Sequence, residues 1–277
     1  MTDARVDLDA YFERVGFAGA ARADLATLRR LHALHAEKIA FENLSPFLGE
    51  PVKLDLHSLQ KKLVRDGRGG WCFEQNLLFA QVLADLGFDV TRLAARVRWN
   101  VAPDVATARS HMLMRVALPQ GDYIADVGFG GLTLTAPLKL APGLEQATPH
   151  EPHRITAREG GYLLEAKVAG EWQALYTFEL NEQQLADYEV SNWYLCNHPD
   201  SHFLKGLLAA RAAPEARHAL RNARYAIHYP DGKTEKRFVA SAAEYRALLE
   251  GPFQIRLPDA PHLDAKLRQL VDSNPPA

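Results

Sequence analysis

An α+β fold is predicted for this chain, with helices first, antiparallel strands in the middle, and both in the last third. Three observations predict it. Apolar residues recur at helical spacing through the first ninety residues. The spacing then switches to alternation, with Leu93, Ala95, Val97 and Trp99 set between Arg92, Ala94, Arg96 and Arg98. Beyond that point, strand-like runs are punctuated by turn sequences such as Ala169-Gly170 and Pro230-Asp231-Gly232-Lys233.

The elements follow in order. Asp7 to Val15 reads as a short amphipathic helix. From Asp24, the residues Leu25, Leu28, Leu31, Leu34 and Ile39 make one apolar stripe. Ser58 to Asp66 repeats the pattern with Leu59, Leu63 and Val64, and Gly67 stops it. A helix opening at Cys72 runs through Leu77, Leu78, Val82, Leu83 and Leu86 to Gly87. Its wide apolar face predicts a central, buried position. Leu93 to Trp99 is a half-exposed strand. His111 to Leu118 and Tyr123 to Gly128 are strands joined by Pro119-Gln120-Gly121-Asp122, with Leu118 expected opposite Tyr123. Tyr162 to Val168 and Glu171 to Phe178 form a further hairpin, so the middle third reads as a small antiparallel barrel. A helix is expected over Glu182 to Leu195, and a hairpin from Tyr225–Tyr229 and Thr234–Val239. Ser241 and Glu244 then open another helix as a capping box. The tail, Asp272 to Ala277, is polar with two prolines and is expected to fray. The expected units are 1–90, 91–185 and 186–277.

Composition excludes several function classes. The chain has 277 residues, 47% of them hydrophobic and 24% charged, which is the balance of a globular protein with a sizeable core. A net charge of −2 provides no global field for nucleic acid or a membrane surface. Only two cysteines occur, Cys72 and Cys196, too few for a disulfide framework. No secretory leader or bilayer-length apolar run is present, so a reducing cytoplasm is the expected location.

The richest stretch is Arg68-Gly69-Gly70-Trp71-Cys72-Phe73-Glu74-Gln75-Asn76. It sets Cys72 at the junction of a glycine turn and the first turn of a helix. The unpaired N–H groups of a helix start favour negative charge, which biases a thiol there toward thiolate. The glycine pair is expected to leave room beside the sulfur. A nucleophilic thiol needs a base, and the base needs an orienting group. His111, at the start of a strand with Leu113 and Arg115 on its side, is the candidate base. Asp126 is the candidate orienter, because it interrupts the apolar run Ile124-Ala125-Asp126-Val127-Gly128 and a buried carboxylate needs a partner. The Leu118–Tyr123 register leaves Asp126 four residues from His111, too far for contact without a bulge or a shorter paired segment. Asp126 is equally able to cap a turn before Gly128. Gly128-Phe129-Gly130-Gly131 is either a ligand approach or a flexible turn.

These residues resemble those of the arylamine N-acetyltransferases, the bacterial ones in particular. The resemblance rests on the Arg68–Asn76 block, Ser110-His111, and Asp126-Val127-Gly128-Phe129-Gly130-Gly131. Flanking blocks are Ile39-Ala40-Phe41-Glu42-Asn43-Leu44, Glu171-Trp172-Gln173-Ala174-Leu175-Tyr176 and His198-Pro199-Asp200-Ser201-His202-Phe203. It implies a helical bundle, a β-barrel and a C-terminal α/β lid around a cysteine-protease-like catalytic core. It also implies that Cys72 accepts acetyl from acetyl-CoA, that His111 and Asp126 complete a triad, and that the simple hairpin register is wrong. By the same resemblance, Phe41, Val97, Phe129 and Phe203 line the acceptor pocket. Ser110, Gly130 and Gly131 lie near the pantetheine arm, with Trp99 and Lys236 as candidates for the adenine end. The implied partners are CoA and a small arylamine or hydrazine, with no nucleic acid or membrane and with room for a homo-oligomer. Cys196 matches no nucleophile position. A thiol hydrolase or transglutaminase-like enzyme would use the same three residues, and a catalytically silent binding protein would keep the fold. No metal is expected: His32/His35 and His198/His202 lack a third ligand, and Pro199 disfavours a helix between the latter two.

Overall fold

Three aspartates start the first helices by the same device. Asp7, Asp24 and Asp55 accept hydrogen bonds from the backbone N–H groups of Ala10, Thr27 and Ser58 at 3.1, 2.8 and 2.9 Å. Each such cap contributes about 1 kcal/mol. The computed structural model describes residues 5–102 and 104–273. The capped helices are Leu8–Val15 (α1), Leu25–Lys38 (α2) and, after Phe41–Glu42 (β1) and Leu44–Leu48 (α3), Leu56–Leu59 (α4). The expected helix at Ser58–Asp66 is only partly α-helical. A π-helical turn over Gln60–Arg65 follows α4, with Asp66 N–H donating to Lys61 O. Gly67, at φ +65°, ends it.

Cys72–Asp85 (α5) is the central helix, buried on nearly all sides. It packs on Asp89–Val97 (β2) and Arg109–Leu118 (β3). Those strands belong to an eight-stranded antiparallel sheet completed by Gly121–Ala125 (β4), Leu138–Lys139 (β5), Glu145–Gln146 (β6), His153–Arg158 (β7), Gly161–Val168 (β8) and Glu171–Phe178 (β9). Its order is β5-β4-β3-β2-β9-β8-β7-β6. The sheet curls into a nearly closed barrel whose edges are joined by a side chain. Lys139 N–H donates to Gln146 Oε1 at 2.8 Å, and Gln146 Nε2 donates to Lys139 O at 2.9 Å. The alternation in β3 sorts its residues between two cores. Met112, Met114 and Val116 join the helical core with α5, while Leu113 joins the barrel interior with Leu93, Ile124, Leu164 and Tyr176.

Leu185–Asn197 (α6) follows the barrel, and a second antiparallel sheet ends the chain. It contains Leu208–Ala213 (β10), Ala216–Arg221 (β11), Arg224–His228 (β12) and Thr234–Phe238 (β13), in the order β1-β10-β11-β12-β13. Strand β1 therefore carries the start of the chain into the sheet of its last third. Ala242–Glu250 (α7) and Leu263–Ser273 (α8) cover this sheet through Tyr245, Leu249, Leu263 and Leu267. Ser241 caps α7 as expected, accepting from Glu244 N–H at 3.1 Å. The helix α8 extends through Asp272 and Ser273, where fraying was expected; Asn274 to Ala277 lie outside the described residues. Among the described residues, no helix is long and apolar enough to cross a membrane.

Candidate active site

Cys72 is placed by the glycines before it. The loop Arg68–Trp71 lies alongside β1, with Gly70 N–H donating to Ala40 O and Glu42 N–H to Gly70 O, both at 3.2 Å. A methyl group on Gly69 would stand 2.2 Å from Ala40 O, and one on Gly70 2.7 Å from Glu74 Oε2. The glycines thus admit the neighbouring strand and the carboxylate that accepts from Trp71 N–H at 3.1 Å. Arg68 locks the same loop, donating Nε and Nη2 to Glu42 Oε1 at 3.0 and 2.8 Å in a buried pair. Cys72 is the first residue of α5 and is 5% exposed.

His111 and Asp126 meet, and the hairpin register explains how. Leu118 pairs with Gly121 rather than Tyr123, so the turn is two residues shorter at each crossing and Met114 faces Ala125. Continued by one step, this register sets Asp126 against Leu113, a diagonal neighbour of His111. The strand ends at Ala125, so Asp126 is free to bend toward the ring instead of interrupting a strand. His111 Nε2 and Asp126 Oδ2 are 2.7 Å apart. A bulge does exist, but on the other side of β3. The ladder with β2 steps from Ala95↔His111 to Arg96↔Arg109, which leaves Ser110 unpaired. The Ser110 carbonyl faces Cys72 Sγ at 3.7 Å.

Cys72 and His111 border one cavity of about 960 Å³, and Asp126 is buried behind His111. Phe41, Val97, Phe129, Phe203, Ser110, Gly130 and Gly131 all border it, as do Trp99 and Lys236. Phe129 meets the His111 ring edge-on with centroids 5.1 Å apart, and Phe203 stacks its edge on Trp71 at 5.1 Å. Cys196 is a half-buried free thiol on α6 and does not border the cavity. His32 and His35 are buried in α2, and His198 ends α6 before His202 begins a separate 3₁₀ turn. Among the described residues, no group of three histidine, cysteine or carboxylate side chains is set to hold a metal.

The comparisons with known proteins agree with this geometry. Residues 24–262 match the family model described as N-acetyltransferase. The chain is 43% identical to the arylamine N-acetyltransferase of Mycolicibacterium smegmatis over 97% of its own length and 99% of the relative's. It belongs to the arylamine N-acetyltransferase family. It is also 39% identical to the Escherichia coli K12 arylamine N-acetyltransferase, over 92% of this chain and 91% of the relative. The structure of Mycobacterium marinum arylamine N-acetyltransferase in complex with CoA superposes with a TM-score of 0.91 at 42% identity, covering 95% of this chain and 99% of that one.

In this member of the arylamine N-acetyltransferase family, Asp126 is the hub of the site. Oδ1 accepts from Asn76 Nδ2 and from Gly128 N–H, both at 2.9 Å, and Oδ2 accepts from His111 and from the Tyr176 hydroxyl at 2.9 Å. It therefore caps the turn at Gly128 and orients the histidine at once, so the two sequence readings were not alternatives. Its backbone N–H donates to His32 Nε2 at 3.2 Å. Burial pushes the Asp126 carboxyl up, but the His111 charge and the converging donors more than offset this and hold it below the ordinary range. Burial likewise pushes His111 down, and the Asp126 charge, its hydrogen bond and the contact with Cys72 reverse the effect, so His111 is pushed up to about 10. Asn76, Tyr176 and His32 were not identified from sequence. Asn76 alone had a local signal, since it lies one helical turn after Cys72 on the same face.

Gly128 is occupied from outside by protein, not ligand. A methyl group there would stand 2.8 Å from Cys72 Cα and 3.0 Å from Asn76 Nδ2. Gly128→Ala is expected to push the Asp126 turn off the start of α5. Melting should show a loss of about 1–3 kcal/mol, and kcat/KM should fall by about 100-fold because Cys72, His111 and Asp126 move apart.

Three buried histidines set the acid limit of the fold. Burial, the largest cause in each case, pushes His32 and His153 down to about 4 and His35 to about 3. The unfolded chain takes up these protons near pH 6.5 and the folded chain does not, so stability falls as pH drops from about 6.5 toward 4. His111 has the opposite sign: its contribution is complete below about 6.5 and is lost only as pH rises through about 10. Urea unfolding at pH 7, 6 and 5 should therefore show stability falling on the acid side, with a limiting slope of about 4 kcal/mol per pH unit for three such groups. A flat profile would show that these rings protonate within the fold.

Proposed function

We propose that Cys72 carries the acetyl group in a ping-pong transfer from acetyl-CoA to an arylamine or hydrazine. The observation that carries this reading is the ordered set of Cys72 and His111 at the wall of one cavity with Asp126 buried against His111. Asp126 holds Nε2 of the imidazole, which leaves Nδ1 for the thiol at the start of α5. Asp126 keeps the His111 ring charged, which sets a cation beside the sulfur that is to react.

The thiolate attacks the thioester carbonyl, and the tetrahedral oxyanion takes hydrogen bonds from the first-turn N–H groups of Cys72 and Phe73, which have no acceptor within the helix. The carbon–sulfur bond to CoA breaks, and His111 protonates the departing CoA thiolate. The amine then adds to the acetyl-cysteine, His111 takes its proton, and the Cys72 thiolate leaves. Arylamines are weakly basic and enter neutral at pH 7, ready to attack. Phe41, Phe129 and Phe203 make an apolar wall that keeps water from the thioester. The same cavity is also lined by Arg221, Arg224, Lys236 and Arg237, a basic set suited to the phosphates of CoA.

Intact-mass measurement after mixing with acetyl-CoA alone tests the reading. The expected result is a gain of one acetyl group, mapped by peptide sequencing to Cys72 and discharged by aniline or a hydrazide. Release of CoA at a rate indifferent to the amine, with no adduct, would replace the transferase reading with a hydrolase.

A further inference from the structure

The cavity wall contains a buried ion pair that the transfer chemistry does not use. Arg217, the second residue of β11, donates Nε to Glu151 Oε2 at 2.9 Å and Nη2 to Glu151 Oε1 at 2.5 Å. Glu151 stands just before β7, so this pair joins the last sheet to the barrel. Arg217 has further donors, and they reach the glycine loop. Nη2 donates to Thr133 O at 2.9 Å and Nη1 to Gly131 O at 3.4 Å. Thr133 in turn accepts from Phe129 N–H at 3.2 Å and donates to Asp126 O at 3.4 Å. The loop thus runs from the triad carboxylate at one end to Arg217 at the other.

Packing does not hold the exposed part of this loop. A methyl group on Gly131 would meet nothing within 4 Å, so this backbone borders open cavity. Glu151 itself is fixed from behind. Its carbonyl accepts from Thr148 Oγ1 at 2.8 Å and lies 3.0 Å from His153 Nδ1, and His150 Nε2 lies 2.9 Å from Ala213 O across the same junction. The side chains of Arg217 and Glu151 are 5% and 16% exposed, so water does not substitute for the pair.

We propose that Arg217, held by Glu151, is a positioning residue for the acyl donor: it sets the height of the Gly130–Thr133 backbone along which the donor's extended arm lies. This rests on the reading of Gly130 and Gly131 as the donor side of the cavity. It predicts a specificity effect. A long thioester donor needs the loop in place, whereas a small ester such as p-nitrophenyl acetate needs only Cys72, His111 and Asp126. Lysine at 217 keeps the charge but not the planar fork, and glutamine at 151 removes the partner charge while keeping its shape.

The test compares acetylation by acetyl-CoA and by p-nitrophenyl acetate in the wild type, Arg217→Lys and Glu151→Gln, with melting curves for all three. Both variants should raise KM for acetyl-CoA by about tenfold or more while kcat/KM for p-nitrophenyl acetate stays within about threefold. Parallel losses with both donors, no change with either, or unfolding of both variants would overturn the proposal and make the pair a structural brace. Wild-type enzyme that is acetylated by p-nitrophenyl acetate but not by acetyl-CoA would instead overturn the donor-site reading itself.

Discussion

Cys72→Ala is expected to abolish transfer, with kcat/KM from acetyl-CoA reduced by about 10⁵-fold or more, as for loss of a nucleophile in a triad that acts as a unit. The proposed covalent intermediate then has no carrier at the cavity, since Cys72 is the one cysteine among the residues that line it. Cys196 does not border the cavity, and burial pushes its thiol up, away from the reactive form. The fold should survive, because the change removes one sulfur from the edge of a large cavity and costs about 1 kcal/mol. The check is intact mass with acetyl-CoA, where the variant should show no acetyl gain while its melting curve stays cooperative. An acetyl adduct of the same stability in the variant would refute Cys72 as the carrier.

Asp126→Asn should reduce kcat/KM by about 10³–10⁴-fold, the scale of the corresponding loss in other triads. Four donors converge on this carboxylate, from Asn76, Gly128, His111 and Tyr176. An amide has one oxygen, so its NH₂ must face two of those donors and lose their hydrogen bonds. If it faces His111, the ring is driven to the wrong tautomer and the charge that raises its pKa is gone. If it faces Asn76 and Gly128, the turn loosens. Stability should fall by about 1–3 kcal/mol for the buried donors left unpaired. The diagnostic readout is the pH profile. The alkaline limb set by His111, pushed up to about 10 in the native protein, should move toward neutrality. An unchanged profile with lower kcat would mean that Asp126 acts only as a structural turn residue.

The legible parts of the fold were those with strong local patterns. The α2 and α5 stripes and the Ala169-Gly170 hairpin, with Ala169 and Gly170 at φ +51° and +87°, needed no tertiary information. The strands β10 and β11 were not read at all. Their sequences, LAARAA and ARHALR, are rich in residues that favour helices, and only pairing with β1 and β12 makes them strands. The strand β7, His153–Arg158, was missed as well, although Pro149 and Pro152 punctuate the chain before it.

The candidate site divides along the same line. The chemical types and their local settings were determined by the sequence alone: a cysteine opening a helix, a histidine on a strand, and a carboxylate after an apolar run. Family resemblance added which of them belong together. Their distances were decided by tertiary structure. A two-residue change in hairpin register and the end of β4 at Ala125 bring Asp126 to His111, and neither leaves a mark in residue spacing. Tyr176 and His32 reach Asp126 from β9 and α2, fifty and ninety-four residues away, so no local pattern could announce them. Local sequence sets which conformations each segment prefers. The choice among registers and partners is made by burial, because a carboxylate in this core is stable only where four donors close around it.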